Sequence, residues 1–328
     1  MRVDGRRAVR WAARCLLAGM LGAAMLVAGT LVALHAESSG TPEAAARGTG
    51  KDALWLGHAW LDGRKAQADV DSLVAQLRTT GVHDLLVHAG PLELDGALDL
   101  GRIPRAQWFT AAIHQALPGV RVQAWLGAHR VPDETPVKDV LDLGFDGVHY
   151  DFEPVAEGDD RLISLLRKTH EVTRQHGAIL SVSAIHTEPW PGVAAGMNLI
   201  PGQLALWSTA YLGRVAQEVD QIAVMSYDTA LPTEAAYAGY LKRVTENALR
   251  VVPPRVALLM GVPAYHDERF LRYDRAETMA AAVHGIRLAL GSTPPQRDFG
   301  VALYVDFAAT EQDWASYRRD WADPPAVG

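Results

Sequence analysis

The sequence of 328 residues is almost without cysteine, which removes several classes of protein. Its single cysteine, Cys15, lies at the start of an apolar N-terminal stretch. A disulfide framework, a cysteine-based zinc site and a thiol nucleophile elsewhere in the chain are therefore excluded. Stability must come from packing, and 49% hydrophobic and 21% charged residues are the balance of a globular protein with a large core.

Positive charge is also scarce in most of the chain. The formal net charge of −7 divides into +3 for residues 1–50 and −10 for residues 51–328. Nucleic-acid binding needs clustered lysine and arginine to neutralise phosphates, and such clusters leave a domain basic. The acidic body therefore argues against a nucleic-acid partner.

An apolar stretch near the N-terminus has the length of a membrane span. Cys15 to Leu34 form twenty consecutive positions without a charge, enough to cross a bilayer as a helix. Five arginines precede them and predict that the N-terminus stays in the cytoplasm while the rest of the chain lies outside the cell membrane. A cleaved signal segment followed by secretion is the alternative. The predicted divisions are a basic region at 1–14, an uncleaved single-pass anchor at 15–35, a flexible linker at 36–50 and a folded body at 51–328.

Eight short apolar runs alternate with longer amphipathic stretches over the rest of the chain. The runs are rich in Val, Leu, Ile or Tyr and predict strands, whereas the stretches between them have helical periodicity. This α/β pattern predicts one (β/α)8 barrel of the TIM type and no second domain. The predicted strands are Leu54–Trp60, Asp84–Ala89, Arg121–Gly127, Gly147–Glu153, Ile179–Ile185, Gln221–Tyr227, Val256–Val262 and Gly300–Asp306. The predicted helices include 68–79, 105–116, 159–176, 203–219, 234–251 and 276–290.

The end of the fourth predicted strand carries the clearest chemical signal, because such barrels present their reactive groups at strand ends. Period-two alternation puts His149, Asp151 and Glu153 on one face, which we expect to point toward the barrel axis. Two carboxyl groups about 7 Å apart on one strand raise each other's pKa, so one can remain protonated as a general acid. The plainer interpretation is that both acids pair with arginine or lysine inside the barrel.

This strand resembles the fourth strand of the chitinase-like family 18 glycoside hydrolases, which reads Asp-Gly-x-Asp-x-Asp-x-Glu. Asp146, Gly147, Asp151 and Glu153 match that motif. Each short motif is weak alone, but four in the expected order on independently predicted strands are fairly specific. The three further segments that are similar to family motifs are Met225-Ser226-Tyr227-Asp228, Gly261-Val262-Pro263-Ala264-Tyr265 and Gly300-Val301-Ala302-Leu303-Tyr304.

The resemblance implies hydrolysis of a glycosidic bond beside an N-acetyl sugar in an oligosaccharide or polysaccharide, without a cofactor. Glu153 would protonate the leaving oxygen while the acetamido group of the substrate attacks, so the reaction would be retaining without a protein nucleophile. Asp151 would orient the acetamido group and stabilise its charge, and Tyr227 would hydrogen-bond it. Asp228 would line the sugar subsite.

Three positions depart from the family pattern. His149 stands where the family has an aspartate that poises the next one, and a charged His149 paired with Asp151 would keep that carboxylate ionised. The third predicted strand lacks the family's Ser-x-Gly-Gly. Tyr304 replaces a tryptophan expected under the bound sugar, although a tyrosine still stacks with less surface. We predict that His149 and Tyr304 contribute to substrate binding.

Aromatic side chains near strand ends are further candidates for sugar binding, since aromatic faces stack on sugars. Trp60 and Tyr265 are predicted to bind substrate, and Trp190 and Trp207 lie in similar positions. Packing in the core is the interpretation for Trp55, Trp108 and Trp125.

Three alternative functions remain open. A retaining glycosidase with a protein nucleophile needs a second carboxyl group about 5 Å from that of Glu153. A metal-dependent hydrolase would use the histidines at strand ends, but each stands alone rather than in a tight ligand pair, so we predict no metal. A non-catalytic carbohydrate-binding barrel would not need an acid with a raised pKa, and Glu153 favours an enzyme. The candidate nucleophiles are Asp228, Asp267 and Glu268, and the histidines are His58, His88, His129, His149, His186 and His266.

Overall fold

The computed structural model describes residues 5–199, 206–267 and 272–323, and within them eight parallel strands form a closed barrel. Each strand pairs with the next along the chain, and the first pairs with the last. The predicted (β/α)8 fold is confirmed. The strands are β1 (Asp52–Leu56), β2 (Val82–Pro91), β3 (Arg121–Ala128), β4 (Gly147–Phe152), β5 (Ile179–Ala184), β6 (Gln221–Val224), β7 (Ala257–Pro263) and β8 (Phe299–Tyr304).

Helices surround the barrel, and most occupy the predicted stretches. Five of them begin at a side chain that accepts a hydrogen bond from a backbone N–H of the first turn, which satisfies an otherwise free donor. These capping residues are Asp159, Ser208, Thr233, Thr278 and Thr310. The helices are α1 (Gly5–Glu37), α2 (Gln67–Leu77), α3 (Ala106–Ala116), α4 (Val137–Leu141), α5 (Asp160–Gln175), α6 (Val193–Met197), α7 (Thr209–Ala216), α8 (Glu234–Val251), α9 (Met279–Ser292) and α10 (Glu311–Tyr317).

One predicted helix differs from the structure. The stretch 203–219 was expected to be a single helix, whereas α7 begins at Thr209 because Ser208 caps its first turn. Residues 200–205 lie outside the described residues.

The Asp146-Gly147 pair fixes the start of β4 between its neighbours. The Asp146 carboxylate accepts hydrogen bonds from the backbone N–H of Val122 and from His114, both at 2.7 Å. A Cβ on Gly147 would lie 2.4 Å from the carbonyl oxygen of Ile179 on β5, so only glycine allows this approach. These two motif residues therefore have a structural role that sets the register of the strand carrying the candidate site.

A buried polar layer fills the barrel at the end where the strands begin. Arg121 donates to the Asp84 carboxylate at 2.8 and 2.9 Å, and Gln123 and Gln221 donate to it at 2.9 and 3.1 Å. Burial alone would raise the pKa of Asp84, but His83 and Arg121 lower it to about 2. The layer closes this end, so we expect chemistry at the opposite end, where the strands finish, which we call the mouth.

Helix α1 contains the apolar N-terminal stretch. Its segment Leu17–Glu37 is long and apolar enough to cross a membrane by length and composition, a property that membrane anchors share with signal sequences.

Residues 36–50 were expected to form a flexible linker, but they pack along the barrel. Leu34 and Ala46 are buried in the main hydrophobic core. The Arg287 guanidinium donates to the backbone carbonyl groups of Glu43 and Ala46, each at 3.0 Å. The packed body therefore begins before Lys51, because a distant arginine supplies partners for a backbone whose small residues alone predict flexibility.

Candidate active site

Glu153 lies at the mouth, immediately after β4, with an exposed side chain. Surrounding protein raises the pKa of its carboxyl group by desolvation, and the charges of Asp151 and Asp228 raise it further, to about 7. No hydrogen bond or ion pair from another described residue neutralises this group. It is therefore an accessible carboxylic acid that carries a transferable proton near neutral pH.

Asp151 lies one step deeper on the same face of β4. Its Oδ2 accepts a hydrogen bond from Trp125 Nε1 at 2.9 Å, and its buried Oδ1 has no hydrogen-bond partner among the described residues. Burial raises the pKa of Asp151 to about 6, and the Trp125 and Ser183 side chains partly oppose that rise. The unpartnered oxygen is a place where a ligand can donate a hydrogen bond.

His149 is fully buried below these acids and forms no ion pair with Asp151. Its two ring nitrogens lie 2.8 and 2.9 Å from the hydroxyl oxygens of Ser181 and Ser183 on β5. Desolvation lowers the pKa of His149 to about 3, so the ring is neutral. Two neutral hydroxyl groups satisfy both nitrogens without a charge, so the case of a charged His149 paired with Asp151 does not arise.

Three tyrosines line the side of the mouth opposite β4. Tyr227 stacks on Tyr304 with ring centroids 5.1 Å apart, and both meet Tyr265 edge to face. Gly261 makes room for this cluster, since a Cβ there would lie 3.1 Å from the Tyr227 ring. Desolvation, together with neighbouring Tyr304 and Asp151, holds the pKa of Tyr227 well above its usual value, so its hydroxyl keeps its proton.

Asp228 follows Tyr227 in a left-handed backbone conformation, with φ of 57°. Its Oδ1 accepts a hydrogen bond from the Tyr265 hydroxyl at 2.6 Å and lies 3.8 Å from Arg272 Nε. The Glu277 carboxylate accepts the Asp228 backbone N–H at 2.6 Å and fixes the turn. Asp228 is thus held with its charge close enough to raise the pKa of Glu153.

A cleft of about 730 Å³ lies beside these residues, between the ends of β1, β2 and β8 and helix α2. Trp125 is the shared wall, since it lines the cleft and binds Asp151. His58, Trp60, His88 and Phe307 line it as well. Its volume is that of a small-molecule site.

Trp60 lies in this cleft rather than beside Glu153. Its indole nitrogen donates to Asp306 at 2.7 Å, Lys65 lies 5.1 Å from its ring centroid, and the residue is buried. Trp190 lies elsewhere, with Arg243 of α8 6.0 Å from its ring.

Of the histidines at strand ends, His58 and His88 meet edge to face, with ring centroids 5.6 Å apart. Within the ranges 5–199, 206–267 and 272–323, no three His, Cys, Asp or Glu side chains are placed to hold a metal ion. His186 binds the carbonyl oxygen of Tyr227, and His266 lies 2.8 Å from Asp313. They therefore fix the loops at the mouth.

Sequence reasoning missed Trp125 as a member of the site. Its apolar ring and its position within a strand favoured the core, and it does pack against His88 with centroids 4.7 Å apart. Pairing of β3 with β4 sets Trp125 beside His149, one step before Asp151, and this brings the indole N–H to the carboxylate. The signal in the sequence was the indole N–H of Trp125, a hydrogen-bond donor on the strand next to the acidic motif. Glu268, a candidate nucleophile, lies outside the described residues.

Comparison with solved structures identifies the class of fold. The chain is similar to the Bacillus cereus spore cortex-lytic enzyme SleL, with 13% identity and a TM-score of 0.56 over 87% of this chain and 77% of that one. A chitinase from Chromobacterium violaceum gives 14% identity and a TM-score of 0.55 over 81% of this chain and 97% of that one. The Group IV chitinase of Ostrinia furnacalis gives 14% identity and a TM-score of 0.51 over 78% of this chain and 92% of that one.

The chain therefore has the barrel fold of the chitinase-like proteins, and the predicted resemblance is confirmed at the level of the fold. No family model and no curated protein matches the sequence.

Proposed function

We propose that this protein is a retaining glycoside hydrolase that cleaves a glycosidic bond beside an N-acetyl sugar. The observation that carries the proposal is the pair of acids at the end of β4. Glu153 is an accessible group with a pKa of about 7, and Asp151 beside it has a buried oxygen without a partner among the described residues. Solved chitinases with the same fold support the substrate class by similarity.

Glu153 donates its proton to the glycosidic oxygen as the bond to the anomeric carbon breaks. The acetamido oxygen of the same sugar bonds to that carbon, so no protein nucleophile is needed. Glu153, now ionised, then accepts a proton from the water that releases the sugar, which returns the enzyme to its starting state.

Asp151 and Tyr227 support the attacking group. The free Oδ1 of Asp151 accepts the acetamido N–H, and its negative charge stabilises the positive charge that develops there. Tyr227, which keeps its proton, donates a hydrogen bond to the acetamido oxygen and holds it toward the anomeric carbon. Further sugar units have room in the cleft beyond Trp125.

The test is the variant Glu153→Gln in the full-length chain, assayed on labelled N-acetylated and neutral oligosaccharides. Glutamine keeps the shape but carries no transferable proton, so kcat on a substrate with a poor leaving group should fall about 10²- to 10⁴-fold while binding survives. Wild-type kcat/KM should also decline above about pH 7, as Glu153 loses its proton. Glu134→Gln, on an exposed neighbouring loop, is the matched control and should behave as wild type.

Other outcomes identify the alternatives. Binding of oligosaccharide by wild type without any product would make the protein a non-catalytic carbohydrate-binding barrel. Cleavage of neutral sugars through an intermediate covalently attached to Asp228 would assign a protein nucleophile, since Asp228 is the second acid near Glu153.

We also propose that α1 is an uncleaved anchor that holds the barrel outside the cytoplasmic membrane. The apolar segment Leu17–Glu37 follows five arginines, the arrangement that retains the N-terminus in the cytoplasm. Cell fractionation with N-terminal sequencing tests this. We expect intact chains in the membrane, and a soluble mature form that lacks the segment would show that it is a cleaved signal.

A further inference from the structure

The last turns of α1 run parallel to the first turns of α8. A Cβ on Gly239 would lie 1.8 Å from the carbonyl oxygen of Leu34, so the two helices touch at this point. Three residues later on both helices, Glu37 accepts a hydrogen bond from Lys242 Nζ at 2.6 Å. Ser38 then contacts His284 on α9. Because the contacts advance together along the helices, the direction of α1 is fixed relative to the barrel.

This direction carries the earlier part of α1 past the mouth. Helix α8 follows β6, so it starts at the mouth and runs toward the opposite end of the barrel. Gly239 lies five residues after the start of α8, roughly 7.5 Å along the helix. Residues of α1 more than about five positions before Leu34 therefore project beyond the mouth. Burial agrees, since Thr30 and Leu31 are partly buried while the described side chains from 17 to 29 are exposed.

The projecting part of α1 leaves little distance between the mouth and a membrane. Residues 15–29 span roughly 22 Å as a helix, less than the hydrocarbon thickness of about 30 Å. A span that starts near Cys15 must therefore include turns that already pack against α8. Such a span ends near Leu34, about five residues past the level of the mouth. The mouth would then lie in direct contact with the bilayer, at or below the level of the lipid headgroups, without a spacer.

Exposed apolar side chains on the body agree with this orientation. Among the described residues outside α1, all large exposed hydrophobic side chains lie on loops that follow strands, which places them around the mouth. The loops at the opposite end carry none within the described ranges. Apolar and aromatic side chains grouped on one face are typical of contact with a membrane. The residues are Leu94 and Leu100 after β2, Leu199 after β5, Tyr273 after β7 and Phe307 after β8.

We propose that the mouth docks on the bilayer that α1 enters, and that the enzyme takes its saccharide from a glycan carried on a membrane lipid. The docking rests on the α1 geometry and the apolar loops, whereas the choice of a saccharide rests on the proposed function. Residues 51–328 carry a net charge of −10, so attraction to anionic lipid does not drive the contact. Apolar contact and the α1 anchor drive it instead. Docking should therefore persist on uncharged bilayers.

Fluorescence quenching tests the docking directly. Full-length protein with Cys15→Ser receives one new cysteine, Leu94→Cys or Phe307→Cys at the mouth or Gln296→Cys at the opposite end, labelled with a fluorophore. Each is reconstituted in phosphatidylcholine vesicles that contain a lipid with a quenching headgroup. We expect both mouth labels to be quenched several-fold more strongly than the label at Gln296. Equal quenching, stronger quenching at Gln296, or failure of the protein to enter vesicles overturns the proposal.

A second assay tests the substrate class. The probes are one N-acetylated oligosaccharide free in solution and the same oligosaccharide joined to a lipid in phosphatidylcholine vesicles. The double variant Leu94→Ser, Leu199→Ser should lose at least about fivefold in activity on the lipid-borne probe and keep its activity on the free one. Equal activity of both proteins on both probes overturns the lipid-carried substrate. If the wild type is inactive on both probes, the proposed hydrolase is refuted. The quenching experiment still decides the docking.

Discussion

The hydrogen bond between Trp125 and Asp151 makes a quantitative prediction. The indole N–H lies 2.9 Å from Asp151 Oδ2, and it opposes the rise in the pKa of this carboxyl group more than the Ser183 side chain does. Trp125→Phe keeps an aromatic ring but removes the donor. A hydrogen bond to a charged group contributes about 1.5–3 kcal/mol, and one pKa unit corresponds to about 1.36 kcal/mol. The pKa of Asp151, about 6 in the wild type, should therefore rise by about one to two units.

A higher pKa of Asp151 should lower activity at acidic pH. In the proposed mechanism, Asp151 must be ionised to stabilise positive charge on the acetamido group, and removal of the donor favours the protonated form. The acidic limb of the kcat/KM profile should therefore move to higher pH. At pH 6 the ionised fraction falls from about one half to about 1–10%, so activity there should drop roughly 5- to 50-fold.

The assay is kcat/KM from pH 4 to 9 on a labelled N-acetylated oligosaccharide, with thermal unfolding of each protein. Trp55→Phe is the matched control. Trp55 is also buried inside the barrel, 1% exposed, but its Nε1 has no hydrogen-bond partner among the described residues. It should lose stability without a displaced pH profile. An unmoved acidic limb in folded Trp125→Phe, or the same displacement in Trp55→Phe, would refute the reasoning.

Two further predictions concern the site and the docking of α1. Asp151→Asn and Tyr227→Phe should each lower kcat by about 10²-fold or more with little change in unfolding temperature, because in the proposed mechanism both groups stabilise charge that develops in the transition state. Normal turnover in either variant would remove that residue from the mechanism. Gly239→Ala should cost about 1–3 kcal/mol in the free energy of unfolding, because its Cβ meets backbone at 1.8 Å. Gly213→Ala is the control, since its Cβ would lie 3.4 Å from the nearest atom, and equal stability of the two variants would contradict the α1 packing.

The sequence by itself determined the architecture and the position of the acid. Eight apolar runs separated by helical stretches specified the closed barrel, because each strand buries side chains on both faces and each crossover requires a helix. Alternation along β4 put Glu153 and Asp151 on the inner face, since this rule depends only on neighbouring positions. The apolar N-terminal segment was also readable from the sequence, because its length and composition involve only consecutive residues.

Only the tertiary structure decided the electrostatics of the site and the position of the N-terminal segment. His149 is neutral because Ser181 and Ser183 lie on the neighbouring strand, 32 and 34 residues away in sequence. Trp125 reaches Asp151 through the register of β3 against β4. Residues 36–50 are held by Arg287, more than 200 residues later in the chain. Such effects depend on which distant groups desolvate or hydrogen-bond a side chain, and local periodicity carries no information about those partners.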